Sequence, residues 1–264
     1  MSEPVTSRPP RRELDVGEFV RFDLDRGRRT GVPEIVLAEG KRPEELLALL
    51  RGLRARGCGA IVSRLGPVHR RALERARAPR LPLTFRADGT VAVLAGPLGA
   101  APGRGPIAIL TAGTSDGRVA EEAAAVLEAL GVEVLRAHDV GVAGLHRLLR
   151  VLRRLAPERP RAYLVCAGRE GALPTVVAGL VRAPVIGIPT SNGYGRGGKG
   201  TAALGAMLQS CAPLAVVNID GGVPAALFAA QLLAAAEPEP ARRPRPRRGA
   251  RTGRGSARPP GQAF

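Results

Sequence analysis

From Pro106 onward, short apolar runs alternate with amphipathic stretches. The runs cover residues 107–112, 132–137, 162–167, 185–189 and 214–219. The amphipathic stretches cover 120–130, 145–155, 174–181, 201–209 and 225–235. Runs of this length bounded by Gly or Asp predict strands buried on both faces, and apolar residues three and four apart predict helices packed on them. In the first helix Val119, Ala123, Val126, Leu127 and Leu130 form one stripe, with Glu121, Glu122 and Glu128 outside it. Five strand–helix units in series predict a doubly wound parallel α/β sheet with right-handed crossovers.

The first hundred residues follow another pattern. The charged stretch 15–29 is expected to be helical, 35–38 a short strand, 44–56 a helix with Leu46, Leu49, Leu50 and Leu53 inward, 60–64 a strand and 68–77 a helix. The Asp88-Gly89 pair predicts a hairpin. The Gly/Pro-rich stretch 97–105 lacks periodicity and divides a smaller N-terminal α/β domain (13–96) from the C-terminal domain (106–236).

Composition narrows the class. Of 264 residues, 45% are hydrophobic and 3% aromatic, enough for a sizeable core. No apolar run reaches the roughly 18 residues of a membrane helix, and the N-terminus has no apolar leader segment, so a cytoplasmic protein without a membrane partner is expected. Cys58, Cys166 and Cys211 are odd in number and form no CxxC, which argues against a disulfide scaffold or zinc module. The net charge is +17. About half of that excess lies in the segment 241–264, which has eight arginines and no acid. Residues 237–264 therefore read as a disordered Arg/Pro-rich tail, either a solvated end or a weak, nonspecific nucleic-acid contact.

Four predicted strands run into polar or glycine-rich loops: 111–116, 138–147, 168–171 and 189–195. At the carboxyl edge of a parallel sheet, such loops and the helix starts behind them suit a phosphate-bearing ligand. None matches GxGxxG or GxxxxGK[ST], so the usual dinucleotide fingerprint and the P-loop are absent.

The strings AGTSD (112–116), DVGVAGLHRLL (139–149), AGREGALPTVVAGL (167–180), PVIGIPTSNGYG (184–195) and MLQSCAPLAVVNID (207–220) resemble the LarB family. So do Asp25, Arg26, Arg29, Gly31, Pro33-Glu34 and Ala38-Glu39-Gly40-Lys41 in the first half. That family is the pyridinium-3,5-biscarboxylic acid mononucleotide synthase of nickel-pincer cofactor biosynthesis. Its C-terminal half is similar to the class I aminoimidazole ribonucleotide carboxylase/mutase (PurE), a flavodoxin-like three-layer fold. The resemblance implies carboxylation of the pyridinium ring of nicotinic acid adenine dinucleotide, with cleavage of its phosphoanhydride to release AMP. It implies CO2 or bicarbonate as co-substrate, Mg²⁺ held largely by the substrate's phosphates, and a homo-oligomer, an octamer like PurE. With no HxH or HExxH, a protein-only metal cage is not expected.

The implied chemistry needs a nucleophile, because an electron-poor pyridinium and CO2 are both electrophiles. The resemblance assigns a thiolate at Cys211, whose attack would give a dihydropyridine able to capture CO2. A lone cysteine after a helix is otherwise an ordinary small apolar residue. Cys211 also follows a helix C-terminus, which disfavours a thiolate, so its ionisation is expected to be assisted by the bound cationic ring. Glu170, just ahead of a helix start expected at Pro174, is the candidate base, or else a capping acid. His146 is a candidate proton relay, or else a packing or surface histidine. Ser115 and Asp116 are expected on ribose and phosphate, together with Gly113, Thr114, Arg147, Gly168, Gly171, Ser191, Gly193 and Tyr194. Arg29, Glu39 and Lys41 are expected on the adenylate or bicarbonate side. The chain departs from the family pattern in three places: Arg169 replaces Met, Gln209 replaces Asn, and Gly221-Gly222-Val223-Pro224 replaces an Asn-Gly-Phe-Gly stretch. Two rivals stay open, a purine-type carboxylase and a non-catalytic nucleotide-binding protein with a nucleic-acid-binding tail.

Overall fold

The computed structural model describes residues 13–16, 20–77, 81–99, 103 and 105–236. The Arg/Pro-rich tail and parts of the Gly/Pro stretch lie outside them. Among the described residues no helix is long and apolar enough to cross a membrane.

The second half of the chain is an α/β unit. Strands β7 (Ile107–Thr111), β8 (Val134–Ala137), β9 (Ala162–Ala167), β10 (Val185–Pro189) and β11 (Ala215–Val216) form one sheet in the order β11-β10-β9-β7-β8. Every pairing is parallel, with Ile107 opposite Ala162, Val185 opposite Tyr163 and Ile186 opposite Ala215 in register. The five-strand parallel sheet expected from the apolar runs is present, although the last run pairs over two residues. Alternate residues of each strand face opposite layers. Ile107, Ile109, Leu164, Cys166, Ile186 and Ile188 pack under α4 (Gly117–Ala129) and α8 (Gly222–Ala235). Ala108, Leu110, Tyr163, Val165 and Val185 pack under α5 (Leu145–Leu155), α6 (Ala172–Ala178) and α7 (Thr201–Leu208). Helix α6 starts two residues before Pro174, with Gly171 as its N-cap. A proline is tolerated there because the first-turn amides have no partner inside the helix.

The first half is smaller. Strands β1 (Glu13–Val16) and β2 (Val20–Asp23) form an antiparallel hairpin, and only Arg26–Thr30 (α1) is helical in the stretch expected to be one helix. The correction has a plain cause. Leu14 and Phe22 are buried while their neighbours Asp15 and Arg21 are exposed, a period of two that belongs to a strand. A mixed sheet in the order β3-β4-β6-β5 follows, built from Ile35–Leu37, Ala60–Ser63, Val91–Leu94 and Leu83–Arg86. The hairpin between β5 and β6 turns at Ala87–Gly89, where Ala87 and Asp88 take left-handed backbone angles. On one face of this sheet lie α2 (Pro43–Ala55), with Leu46, Leu49, Leu50 and Leu53 buried, and α3 (Pro67–Ala76).

The other face of the smaller sheet meets α4. Ile61 and Val91 share a core with Val119, Ala120, Ala123, Ala124 and Leu127, so this helix lies between two sheets and is buried nearly all round. Glu122, placed outside the apolar stripe by the sequence, is therefore enclosed at 6% exposure. Its carboxylate accepts a 2.6 Å hydrogen bond from Ser63 Oγ, at the end of β4. Burial raises its pKa above the ordinary value, and the Ser63 hydrogen bond and the Arg64 and Arg118 guanidiniums counter only part of that. A raised carboxyl pKa means the charged form costs stability at neutral pH, and that cost disappears once both folded and unfolded chains are protonated. Glu122→Gln, which keeps the acceptor for Ser63, is expected to melt above the parent at pH 7.5. The gap should close as pH falls to the ordinary glutamate value of 4.5, as read by calorimetry across that range.

Candidate active site

Parallel strands point all their carboxyl ends to one edge, and there the loops after β7, β8, β9 and β10 meet. They enclose a pocket of about 440 Å³ lined by Ser115, Asp116, Arg147, Gly168, Glu170 and Asn192, among others. The loop after β7 is a single 3-10 turn, Thr114–Asp116, that leads straight into α4. Asp116 is 3% exposed and its carboxylate is fully engaged. One oxygen accepts from Gly113 N at 2.8 Å, and the other accepts from Thr190 Oγ1 at 2.6 Å and, more weakly, Asn192 Nδ2 at 3.5 Å. Asn192 Nδ2 also donates to Ser115 O at 2.7 Å. These bonds tie the first loop to the fourth and leave the Ser115 hydroxyl and the Gly113 backbone at the pocket wall.

The third loop is held tightly against the fourth. A Cβ on Gly168 would fall 2.1 Å from Asn192 O, so no side chain fits there. Gly171 has φ +65° and abuts the Ala203 backbone, which explains a glycine at the start of α6. Between them stand Arg169 and Glu170, both exposed. The Arg169 guanidinium stacks 4.8 Å over the Tyr194 ring and donates to its hydroxyl at 2.7 Å. Glu170 borders the main pocket and a smaller one beside Tyr194, and Arg169 lines both with it. At the rim, Arg147 Nη1 donates to Asp139 Oδ2 at 2.6 Å, and Asp139 N donates to Thr111 Oγ1.

Several residues singled out from the sequence lie together here: Gly113, Ser115, Asp116, Arg147, Gly168 and Glu170 line the pocket. Gly171, Ser191 and Gly193 shape its loops, with Ser191 N donating to Asp220 Oδ1 at 2.9 Å. Thr114 and His146 are exposed beside it and are not among its lining residues. Thr190 and Asn192 lie in the 189–195 loop but are not among the residues named from the sequence; their part depends on reaching a loop 74–77 residues away.

Cys211 lies elsewhere. Helix α7 starts against Gly171 at the carboxyl edge and passes Gly187, halfway along β10, at Met207. The thiol follows the end of that helix and precedes β11, so it sits exposed at the amino edge of the sheet. Within one chain, Cys211 and Glu170 are on opposite edges. Cys166 is enclosed in β9 and burial pushes its thiol pKa far up, which makes it unreactive. In the smaller half, Glu39 borders a second cleft and the Lys41 carbonyl meets His69 Nε2 at 2.7 Å. Arg29 is away from both, paired with Asp23 at 2.6 Å.

The family model for AIR carboxylase matches residues 106–250, more than half of the chain. The chain belongs to the AIR carboxylase family. This is a family of carboxylase/mutase enzymes, and here its unit is preceded by a LarB/PurE-like N-terminal domain matched over residues 14–93. An uncharacterised protein of Methanocaldococcus jannaschii is 38% identical over 81% of this chain and 84% of its own. The N5-carboxyaminoimidazole ribonucleotide mutase of the same organism is 32% identical over 48% of this chain and 78% of its own. A crystal structure of Treponema denticola PurE covers 51% of this chain and 83% of that one at 28% identity, with a TM-score of 0.42. The pocket described above belongs to the AIR carboxylase unit.

Proposed function

We propose that this AIR carboxylase family member carboxylates the pyridinium ring of nicotinic acid adenine dinucleotide and hydrolyses its phosphoanhydride, water replacing the bridging bond so that AMP leaves, giving pyridinium-3,5-biscarboxylic acid mononucleotide. The observation that carries this reading is the joining of a carboxylase unit to a LarB/PurE-like N-terminal domain in one chain. In this reading the mononucleotide half occupies the carboxyl-edge pocket, with Arg147 and the Gly113–Ser115 loop at its phosphate and ribose. A thiolate adds to the ring and its electron pair makes an enamine. The enamine carbon bonds to CO2, Glu170 takes the ring proton from that carbon, and loss of the thiolate restores the aromatic cation. Electrons balance without an oxidant.

The thiolate is Cys211 of a second copy of the chain, since the first copy's own Cys211 faces the opposite edge. Its exposure supports this, as does the exposed apolar Leu208 next to it, at 67%. Exposed Leu145, at the carboxyl-edge start of α5, gives a second copy apolar surface to meet. Among the described residues no group of three His, Cys, Asp or Glu side chains is arranged to hold a metal ion. In this reading Mg²⁺ is held by the substrate's own phosphates.

The test is incubation of the full-length protein with nicotinic acid adenine dinucleotide, bicarbonate and Mg²⁺, read by mass spectrometry. A dicarboxylated mononucleotide with an equal amount of AMP is expected. A second reading, carboxylation or mutase chemistry on aminoimidazole ribonucleotide, is favoured by the 32% identity to N5-carboxyaminoimidazole ribonucleotide mutases. Turnover of that ribonucleotide alone, with the dinucleotide untouched, would establish it instead.

A further inference from the structure

The fourth pocket loop is tied down residue by residue. Thr190 Oγ1 donates to Asp116, and Asn192 is fixed from two sides, donating to Ser115 O and accepting from Arg169 N. Ser191, between them, is held from outside the four loops, because its amide donates to Asp220 Oδ1 at 2.9 Å. Asp220 follows β11 and is engaged at every polar atom. Its N donates to Pro189 O at 2.8 Å, its Oδ2 accepts from Arg118 Nη2 at 3.3 Å, and its carbonyl accepts from Arg64 Nη2 at 3.2 Å. Of these partners only Arg64 belongs to the smaller unit. Arg64 directly follows β4, and the turn around it is pinned to that unit by Ala38 N on Ser63 O and Leu65 N on Thr90 O, both at 2.9 Å. Its guanidinium bridges Glu39, 2.9 Å from Nη1, to Asp220.

Both ends of this link lie in the left-handed backbone region, Arg64 at φ +57° and Asp220 at φ +54°. That region is unfavourable for a residue with a Cβ and persists where surrounding bonds hold it. Glycine would relax either turn. The side chains that stand there instead are the ones that make the link, Arg64 to Asp220 and Asp220 to Ser191. The first of these bonds spans 156 residues of sequence and joins the LarB/PurE-like domain to the carboxylase unit beside the pocket.

We infer that Asp220 is a positioning residue for the carboxyl-edge pocket and that Arg64 braces it, so that the smaller unit acts on the reaction through the series Arg64, Asp220, Ser191. The inference rests on that pocket being the reaction site, as proposed above, and not on which ribonucleotide reacts. Both side chains act through the loop, and a shift of about 1 Å in such a loop costs about 10²-fold in rate. The test uses full-length variants and two readouts. In hydrogen exchange followed by mass spectrometry, Arg64→Gln and Asp220→Gly should each speed exchange in residues 190–195 about tenfold or more, with strand β9 unchanged. Turnover is measured on nicotinic acid adenine dinucleotide or, if that is untouched, on aminoimidazole ribonucleotide. Asp220→Gly should lose about 10²-fold in kcat/KM while its melting temperature holds, since glycine suits the left-handed turn. Asp220→Asn keeps an acceptor for Ser191 N and should recover about tenfold of that loss. Arg64→Gln should lose about tenfold alone and nothing further in an Asp220→Gly chain, because the brace then has no carboxylate to aim. The inference is overturned if Asp220→Gly turns over within about threefold of the parent, if the two losses multiply, or if exchange in residues 190–195 is unchanged. If the parent turns over neither ribonucleotide, the reaction reading fails, and the hold on the loop stands or falls by exchange.

Discussion

Cys211→Ala is expected to abolish carboxylated product, by about three orders of magnitude or more, because without the nucleophile the pyridinium has no electron pair to offer CO2. Cys211→Ser should be nearly as inert, since a hydroxyl is far less ionised than a thiol at neutral pH. Cys166→Ala should keep full turnover and lose about 1 kcal/mol of stability through a small cavity in β9. The placement of Cys211 at the amino edge adds a sharper measurement. If each site combines Glu170 of one copy with Cys211 of another, two inactive chains can repair each other. Mixing Cys211→Ala with Glu170→Gln chains and letting subunits exchange should restore about a quarter of the sites, the fraction that receives both intact residues. Serine at 211 turning over at parental speed would remove the covalent step altogether. No recovery in a mixture shown to have exchanged would remove the shared site.

Glu170→Gln is expected to lower kcat by about 10²–10⁴-fold with little change in KM. The side chain stands at the pocket border on a turn fixed by Gly168 and Gly171, so the amide replaces the carboxylate without moving the loop. Its neighbour Arg169 donates its hydrogen bond to Tyr194 rather than to this carboxylate. With substrate deuterated at the carbon to be carboxylated, the variant should show a larger isotope effect than the parent, because proton removal has become the slow step. A KM rise with kcat intact would instead make Glu170 a binding residue.

The parallel sheet and the pocket's position follow from apolar runs separated by helices, since that element order allows few topologies. The same order also fixes where Cys211 falls. A helix that returns from the carboxyl edge delivers whatever follows it to the amino edge. The β1–β2 hairpin was signalled as well, by the alternation of Leu14 and Phe22 with charged neighbours, but the density of charge hid it. Other features depend on docking and leave no local trace. Glu122 sits on α4 as a solvent-facing acid would, and becomes buried because a second sheet covers it. Arg64, Arg118 and Asp220 are ordinary surface residues by spacing, far apart in sequence, and become one cleft when the two sheets clasp α4. The runs of alanine in α4 were the one hint that both sides of this helix are in close contact.

That clasped helix bears on ancestry as well as on stability. A chain made of the carboxylase unit alone would uncover the side of α4 that now packs on β4 and β6, where Ser63 holds Glu122. Gaining or shedding the N-terminal unit therefore could not be a simple fusion or deletion. Each such event would require the outer surface of this helix to be rewritten in step, either with charges or with a face for another molecule.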